Sequence, residues 1–269
     1  MLDKLLLQYK GFINTPNLWE QADFYKYPQI EIDYLETPNL LEIDTTKHHR
    51  LGKLVECFFQ KNIEQNTLYS PICNNIQIQT EKKITLGELD FICNTPDGQK
   101  HIELTYKFYL YKTDIKGELN RWVGPNLRDS LVKKLDKLRD KQFPMLANKY
   151  TQPILDQHNL SINSIEQVMH FKANLFVPLS LAKHTFQHIN NACVKGYYIS
   201  HKEIDFLFPF ALYQIPNKQD WLIDPADNTD WMIFIDVKPL ILEQIKVQHS
   251  PLIWIKRDGV FERFFITFW

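Results

Sequence analysis

Asp90, Glu103 and Lys107, all between Leu86 and Tyr111, are of types that carry metal or acid–base chemistry. Two carboxylates a few ångströms apart hold a hard divalent cation, and an ammonium beside them orients an attacking water. A hairpin would bring them together. Pro96-Asp97-Gly98 lies between two apolar-rich runs, and glycine supplies the positive φ of a tight turn. With a loop of Thr95 to Gly98, Asn94 pairs with Gln99, and the same register sets Asp90 opposite Glu103. Alternation then places His101, Glu103, Thr105, Lys107 and Tyr109 on one face, and Ile102, Leu104, Tyr106, Phe108 and Leu110 on the other. At ~5 Å and an effective dielectric of ~20, the two acids repel by about 3 kcal/mol, so a positive group is required between them. Lys107 is ~13 Å from Glu103 along the strand and cannot neutralise the pair alone. A divalent cation, Mg2+ or Mn2+, can. The pattern also fits a solvated polar face whose carboxylates relax apart in water.

The neighbouring segments supply the frame. Leu51, Leu54, Val55, Phe58 and Phe59 recur at helical spacing, with Thr45 or Thr46 as a cap and Glu56 at the border of the apolar stripe. Ile72, Ile76 and Ile78 predict a strand entering the hairpin. After the loop around Arg121 and Trp122, Leu127, Leu131, Leu135 and Leu138 predict a second helix running to Gln142, stopped by Pro144. Lys133, Lys134 and Lys137 on that helix would engage phosphates, and Arg121 with Trp122 would offer a charge and a stacking surface to DNA or RNA. The plainer readings are a wet helix face and a small-core tryptophan. His184 and His188 share a helix face across HTFQH, but Thr185 stands where a zinc protease needs glutamate.

The order Asp90, Glu103, Lys107 on a hairpin, between a glutamate-bearing helix and an amphipathic one, resembles the PD-(D/E)XK nuclease superfamily. More closely, the runs GELDF, ELTYKFYL and GPNLRD and the late GYY and ERFF pieces resemble an uncharacterised bacterial family, domain of unknown function 1853, which is placed in that superfamily. The likeness covers Leu51 to Trp269. It implies an α/β fold with a nuclease-like core of helix, three-stranded meander, helix and strand, followed by an aromatic-rich α/β C-terminal lobe. It also implies a Mg2+- or Mn2+-dependent nuclease that hydrolyses phosphodiester bonds with metal-activated water. In that scheme Asp90 and Glu103 are metal ligands, Lys107 is the catalytic lysine, and Glu56 is an outer acidic partner. Gln142 falls where some members carry a glutamine. One departure stands out. The superfamily places its second acid two residues before the lysine, where this chain has Thr105, and Glu103 sits ~7 Å further back on the same face. A non-catalytic nuclease-fold module that binds nucleic acid or a protein is therefore the alternative.

Composition sets the bounds. The 269 residues suffice for one large domain, expected as an arm over 1–46, a core over 47–205 and an aromatic C-terminal lobe over 206–269 within the same compact unit. With 31 basic and 32 acidic residues, any nucleic-acid contact must rest on a local patch rather than on overall charge. The four cysteines lack metal-ligand spacing, which points to a reducing compartment. No apolar run has the length of a secretory or membrane-spanning segment, so a cytoplasmic protein without a membrane partner is expected.

Overall fold

A computed structural model describes residues 2–21, 24–43, 50–207 and 209–269. The first helix, α1 (Leu2–Ile13), is followed by an extended arm and by α2 (Leu51–Gln65). Thr45 and Thr46, expected to cap α2, lie outside the described residues. Then come β1 (Ser70–Gln79), β2 (Thr85–Thr95), β3 (Gly98–Tyr111) and the short β4 (Trp122–Val123). The second site helix, α3 (Leu131–Lys137), passes directly into a π-helical turn over Leu138–Gln142. After α4 (Gln152–Gln157), the strands β5 (Ile165–Pro178), β6 (Val194–Ser200), β7 (Leu212–Gln214) and β8 (Met232–Ile233) lead to α5 (Phe234–Lys246). The chain ends with β9 (Leu252–Arg257) and β10 (Val260–Thr267).

Among the described residues, ten strands form one mixed sheet, ordered β1-β2-β3-β5-β6-β10-β9-β7-β8, with β4 beside β3. Along the chain α2 is followed by the antiparallel strands β1, β2 and β3, and then by α3 and β5 in a mixed α/β arrangement. The crossover through α3 returns β5 parallel to β3, paired from Gln99↔Ile165 to Leu110↔Phe176. A parallel pair in mid-sheet must be covered on both sides. On one face α1 and α2 pack Tyr9, Phe12, Phe58 and Phe59 against Ile102 and Leu110. On the other, α3 and the arm pack Leu131, Leu138 and Trp19 against Tyr109, Phe171 and Leu175.

The aromatic C-terminal portion extends the central sheet, because β10 pairs with β6 and β6 with β5. Some expectations are corrected. α3 begins at Leu131, not Leu127: Leu127 has φ +59° in a tight loop, and the Ser130 side chain caps the helix by accepting from Lys133 N–H. A helix is expected from the sequence near Pro239 to Gln248, but α5 begins at Phe234 and keeps Pro239 within it. The carbonyl that this proline deprives of a helical donor belongs to Ile235, an exposed residue, where water can replace the bond. His184 and His188 lie in irregular chain, not on a helix.

Candidate active site

The hairpin has the register its turn implies, Asn94↔Gln99 and Thr95↔Gly98, but its ladder ends at Phe91↔Ile102. β2 leaves β3 there and stays with β1. Since β5 fills the opposite edge of β3 and β4 returns only at Leu110 and Tyr111, the stretch Glu103–Tyr109 has one edge without a strand. Asp90 occupies the point of separation. Its Oδ2 accepts the Leu104 N–H at 3.0 Å, replacing a ladder bond, and its carboxyl also hydrogen-bonds Glu103.

The polar face of β3 is covered, not solvated. Glu103 is 0 % exposed, so every oxygen on it needs a partner. Oε1 lies 3.1 Å from His101 Nε2, and Oε2 accepts from Gln142 Nε2 at 2.5 Å. Gln142 Oε1 in turn accepts from Lys134 Nζ at 2.8 Å. Burial lowers the His101 pKa to about 4, so its ring is neutral at pH 7. With the Gln167 amide nitrogen 3.1 Å from Nδ1, the proton sits on Nε2 and faces Glu103.

The π turn explains how two helix residues eight apart serve one carboxylate. On a continuous α-helix, Lys134 and Gln142 would point about 80° apart. The wider i→i+5 turn over Leu138–Gln142, with Phe143 N–H donating to Leu138 O, takes up that offset.

Charge in this corner is tightly balanced. Burial, then Glu103, then Glu56 raise the Asp90 pKa, while Lys134 opposes them. Burial also raises that of Glu103, against the pull of Lys134 and the hydrogen bond from Asp90. Lys134, itself mostly buried, is drawn below the ordinary lysine range by desolvation, and Glu103 and Asp90 work to keep it charged. The ammonium that the acid pair requires thus comes from α3. Lys107 is engaged elsewhere, donating to Asp129 Oδ2 at 2.7 Å.

Beside the pair, the strandless edge of β3 forms the floor of a cleft of about 510 Å3 lined by Leu104–Phe108, with Glu56, Asp129 and Lys134 on its walls. Glu56 accepts from Lys53 Nζ at 2.5 Å. Gly124 lets the 124–129 loop close: a Cβ there would lie 2.1 Å from Asp129 Oδ1. Pro125 O accepts from the indole of Trp269, and Asn126 Oδ1 from Ser250 N–H, so the end of the chain anchors the cleft wall.

The other expected nucleic-acid residues divide. Trp122 is fully buried between Tyr111 and Phe186, at ring distances of 4.8 and 5.0 Å, and cannot stack on a base. Its side chain is consumed in closing the core beneath β4. Arg121 donates to Ile115 O and to the Tyr111 hydroxyl, holding the loop together. Lys133 and Lys137 are exposed on α3, and Lys137 acts on Glu103 through space. Lys134 and Gln142 belong to the acid site. Sequence reasoning missed Asp129, Arg128 and Lys218 in the cleft; the run GPNLRD was the one available signal for the first two, and nothing local marks Lys218.

A family model described as "Domain of unknown function (DUF1853)" matches residues 12–260. The chain belongs to that family. The match begins within α1 rather than near Leu51, so the family's domain takes in the N-terminal arm as well as the sheet. No curated protein and no solved structure matches the chain.

Among the described residues there is no cluster of three or more His, Cys, Asp or Glu side chains able to hold a metal ion. The donor set is smaller: the carboxyls of Asp90 and Glu103, with Thr105, two residues further along β3, presenting a buried hydroxyl without a hydrogen-bond partner to the neighbouring cleft. Such hard oxygen donors fit Mg2+ or Mn2+, which bind through one or two carboxylates and keep several waters. They do not fit a site built on thiolate or imidazole. All four cysteines are free, and no helix among the described residues is long and apolar enough to cross a membrane.

Proposed function

We propose that this domain is a metal-dependent phosphodiester hydrolase of the PD-(D/E)XK kind, acting on DNA or RNA. The observation that carries the reading is the hydrogen-bonded, desolvated pair Asp90–Glu103, answered by Lys134, which also lines a cleft rich in basic residues. Asp90 and Glu103 would hold Mg2+ or Mn2+. A divalent cation bound there would lower the pKa of a coordinated water and offset charge on the phosphoryl oxygens. His101 and Gln142 hold the Glu103 carboxyl in one orientation, and Gln167 fixes the tautomer of His101. Lys134 places a positive charge where negative charge develops at the phosphate. Lys107, next along the same face, steadies the substrate at the cleft wall and is itself positioned by Asp129. Glu56 is an outer acid that raises the proton affinity of Asp90.

A nuclease-fold module that binds without cleaving is the second reading. It is favoured by Thr105 in the position of an acid and by the hydrogen bonds already made to both Glu103 oxygens. Cleavage separates the two. Incubated with Mn2+, the protein is expected to degrade labelled DNA or RNA, and Asp90→Asn or Glu103→Gln to lose at least 100-fold of that rate. Equal slow rates in wild type and variants would leave the binding module.

A further inference from the structure

The far end of the cleft, away from Asp90 and Glu103, has a charge problem of its own. Arg50, Lys107, Arg128 and Lys218 line it, and Asp129 is the acidic residue among them. Asp129 is committed to Lys107 at 2.7 Å. Among the described residues, neither Arg128 nor Lys218 forms an ion pair. Lys218 is drawn below the ordinary lysine range by burial and then by the nearby Lys107, with Arg128 adding to it. Arg50, Arg128 and Lys218 are exposed to solvent and Lys107 is half-buried, so an anion entering the cleft meets several cations at once. The recess is also faced by the start of α2, where Arg50 supplies no side-chain cap and the N–H groups of the first turn have no intrahelical acceptor. The Thr105 hydroxyl on the floor, buried and unpartnered, is a further polar group awaiting a ligand.

We propose that Lys107, Arg128, Lys218 and the first turn of α2 form a phosphate-binding subsite that holds a backbone or terminal phosphate of a single nucleic-acid strand. This rests on the hydrolase reading for the class of ligand. The Lys107 ammonium is held by Asp129, and its Cα stands ~13 Å from that of Glu103 along β3. The phosphate held here is therefore a different group of the strand from the one presented to Asp90 and Glu103. A cleft of about 510 Å3 has the size of small-ligand sites and accommodates a nucleotide or two rather than a duplex. The strand would run along the open edge of β3, with the 124–129 loop on one side and α2 on the other.

The test is binding of a fluorescein-labelled, short single-stranded oligonucleotide by anisotropy in EDTA, so that neither metal nor cleavage enters. Arg128→Gln and Lys218→Gln should each weaken binding about tenfold, and each should reduce the salt slope by about one contact. Lys82→Gln, on the exposed β1–β2 turn, should change nothing. A duplex of the same sequence should bind at least tenfold more weakly. Wild-type affinity in both cleft variants overturns the subsite, as does the absence of single-strand binding. Equal binding of duplex overturns the single-strand assignment. Calorimetry with Mn2+ on Arg128→Gln keeps the outcomes apart: retained metal binding beside unchanged oligonucleotide binding removes the subsite and leaves the acid pair standing.

Discussion

Two lysines are buried on opposite faces of the central sheet, and both are drawn below the ordinary lysine range mainly by desolvation. Their partners differ. Lys172 on β5 donates to the carbonyls of Ile13 and Thr15 at 3.0 and 2.6 Å, and its ammonium lies 5.5 Å from the ring centre of Phe12 and 5.0 Å from that of Tyr34. It pins the N-terminal arm to the sheet. Lys134 on α3 answers two carboxyls, directly through space and through the Gln142 amide, and it lines the cleft. Burial of a charge is therefore not what marks the candidate site here. The mark is burial against opposite charge that is itself raised toward protonation, at a place open to a ligand.

The contrast can be broken by mutation. Lys172→Met strands two carbonyls in the core and should cost about 3 kcal/mol in urea unfolding, with Mn2+ affinity unchanged in the folded protein. A loss of metal affinity without a loss of stability would reverse the roles assigned to the two lysines.

Asp90→Asn tests the other side through pH. The folded-state pKa of Asp90 is raised, so the folded protein holds a proton that the unfolded chain releases. The associated stability is fully present below the ordinary carboxylate range near pH ~4 and is lost as pH rises through the raised value. Wild type should thus lose stability between about pH 4 and 8. The asparagine amide oxygen can still accept the Leu104 N–H but carries no charge, so the variant should be flatter and about 1–2 kcal/mol more stable at pH 8. Parallel pH profiles would mean that the pair is not under strain.

Gly124→Ala is expected to have the smallest effect, about 1 kcal/mol, because its Cβ pushes Asp129 away from Lys107 at the surface of the cleft. Oligonucleotide affinity should rise with the release of Lys107. An unchanged affinity would show that Asp129 does not hold Lys107 in check.

The hairpin could be read from residues alone because its information is local: a Pro-Asp-Gly turn, strict alternation, and a register that follows from loop length. That register brought Asp90 to Glu103 before any fold was known. The identity of the neutralising group was not local. Gln142 links Lys134 to the pair because a π turn rotates the end of their helix, and the sequence LRDKQ carries no mark of that turn. Periodicity likewise showed that Trp122 follows the hairpin but not that β4 folds it under Phe186. Lys218 reaches the cleft on a turn that packs against α1, where Gln8 donates to Asp220 and Gly11 lies against Leu222, contacts between segments far apart in the chain.

Calorimetric titration of Mn2+ into the metal-free protein addresses the central claim most directly. Binding with a stoichiometry near one in wild type, abolished in Asp90→Asn and in Glu103→Gln but retained in Lys172→Met if that variant folds, is the predicted result. No heat in wild type, or equal binding in the Asp90 variant, would contradict the assignment of Asp90 and Glu103 as the metal-holding pair.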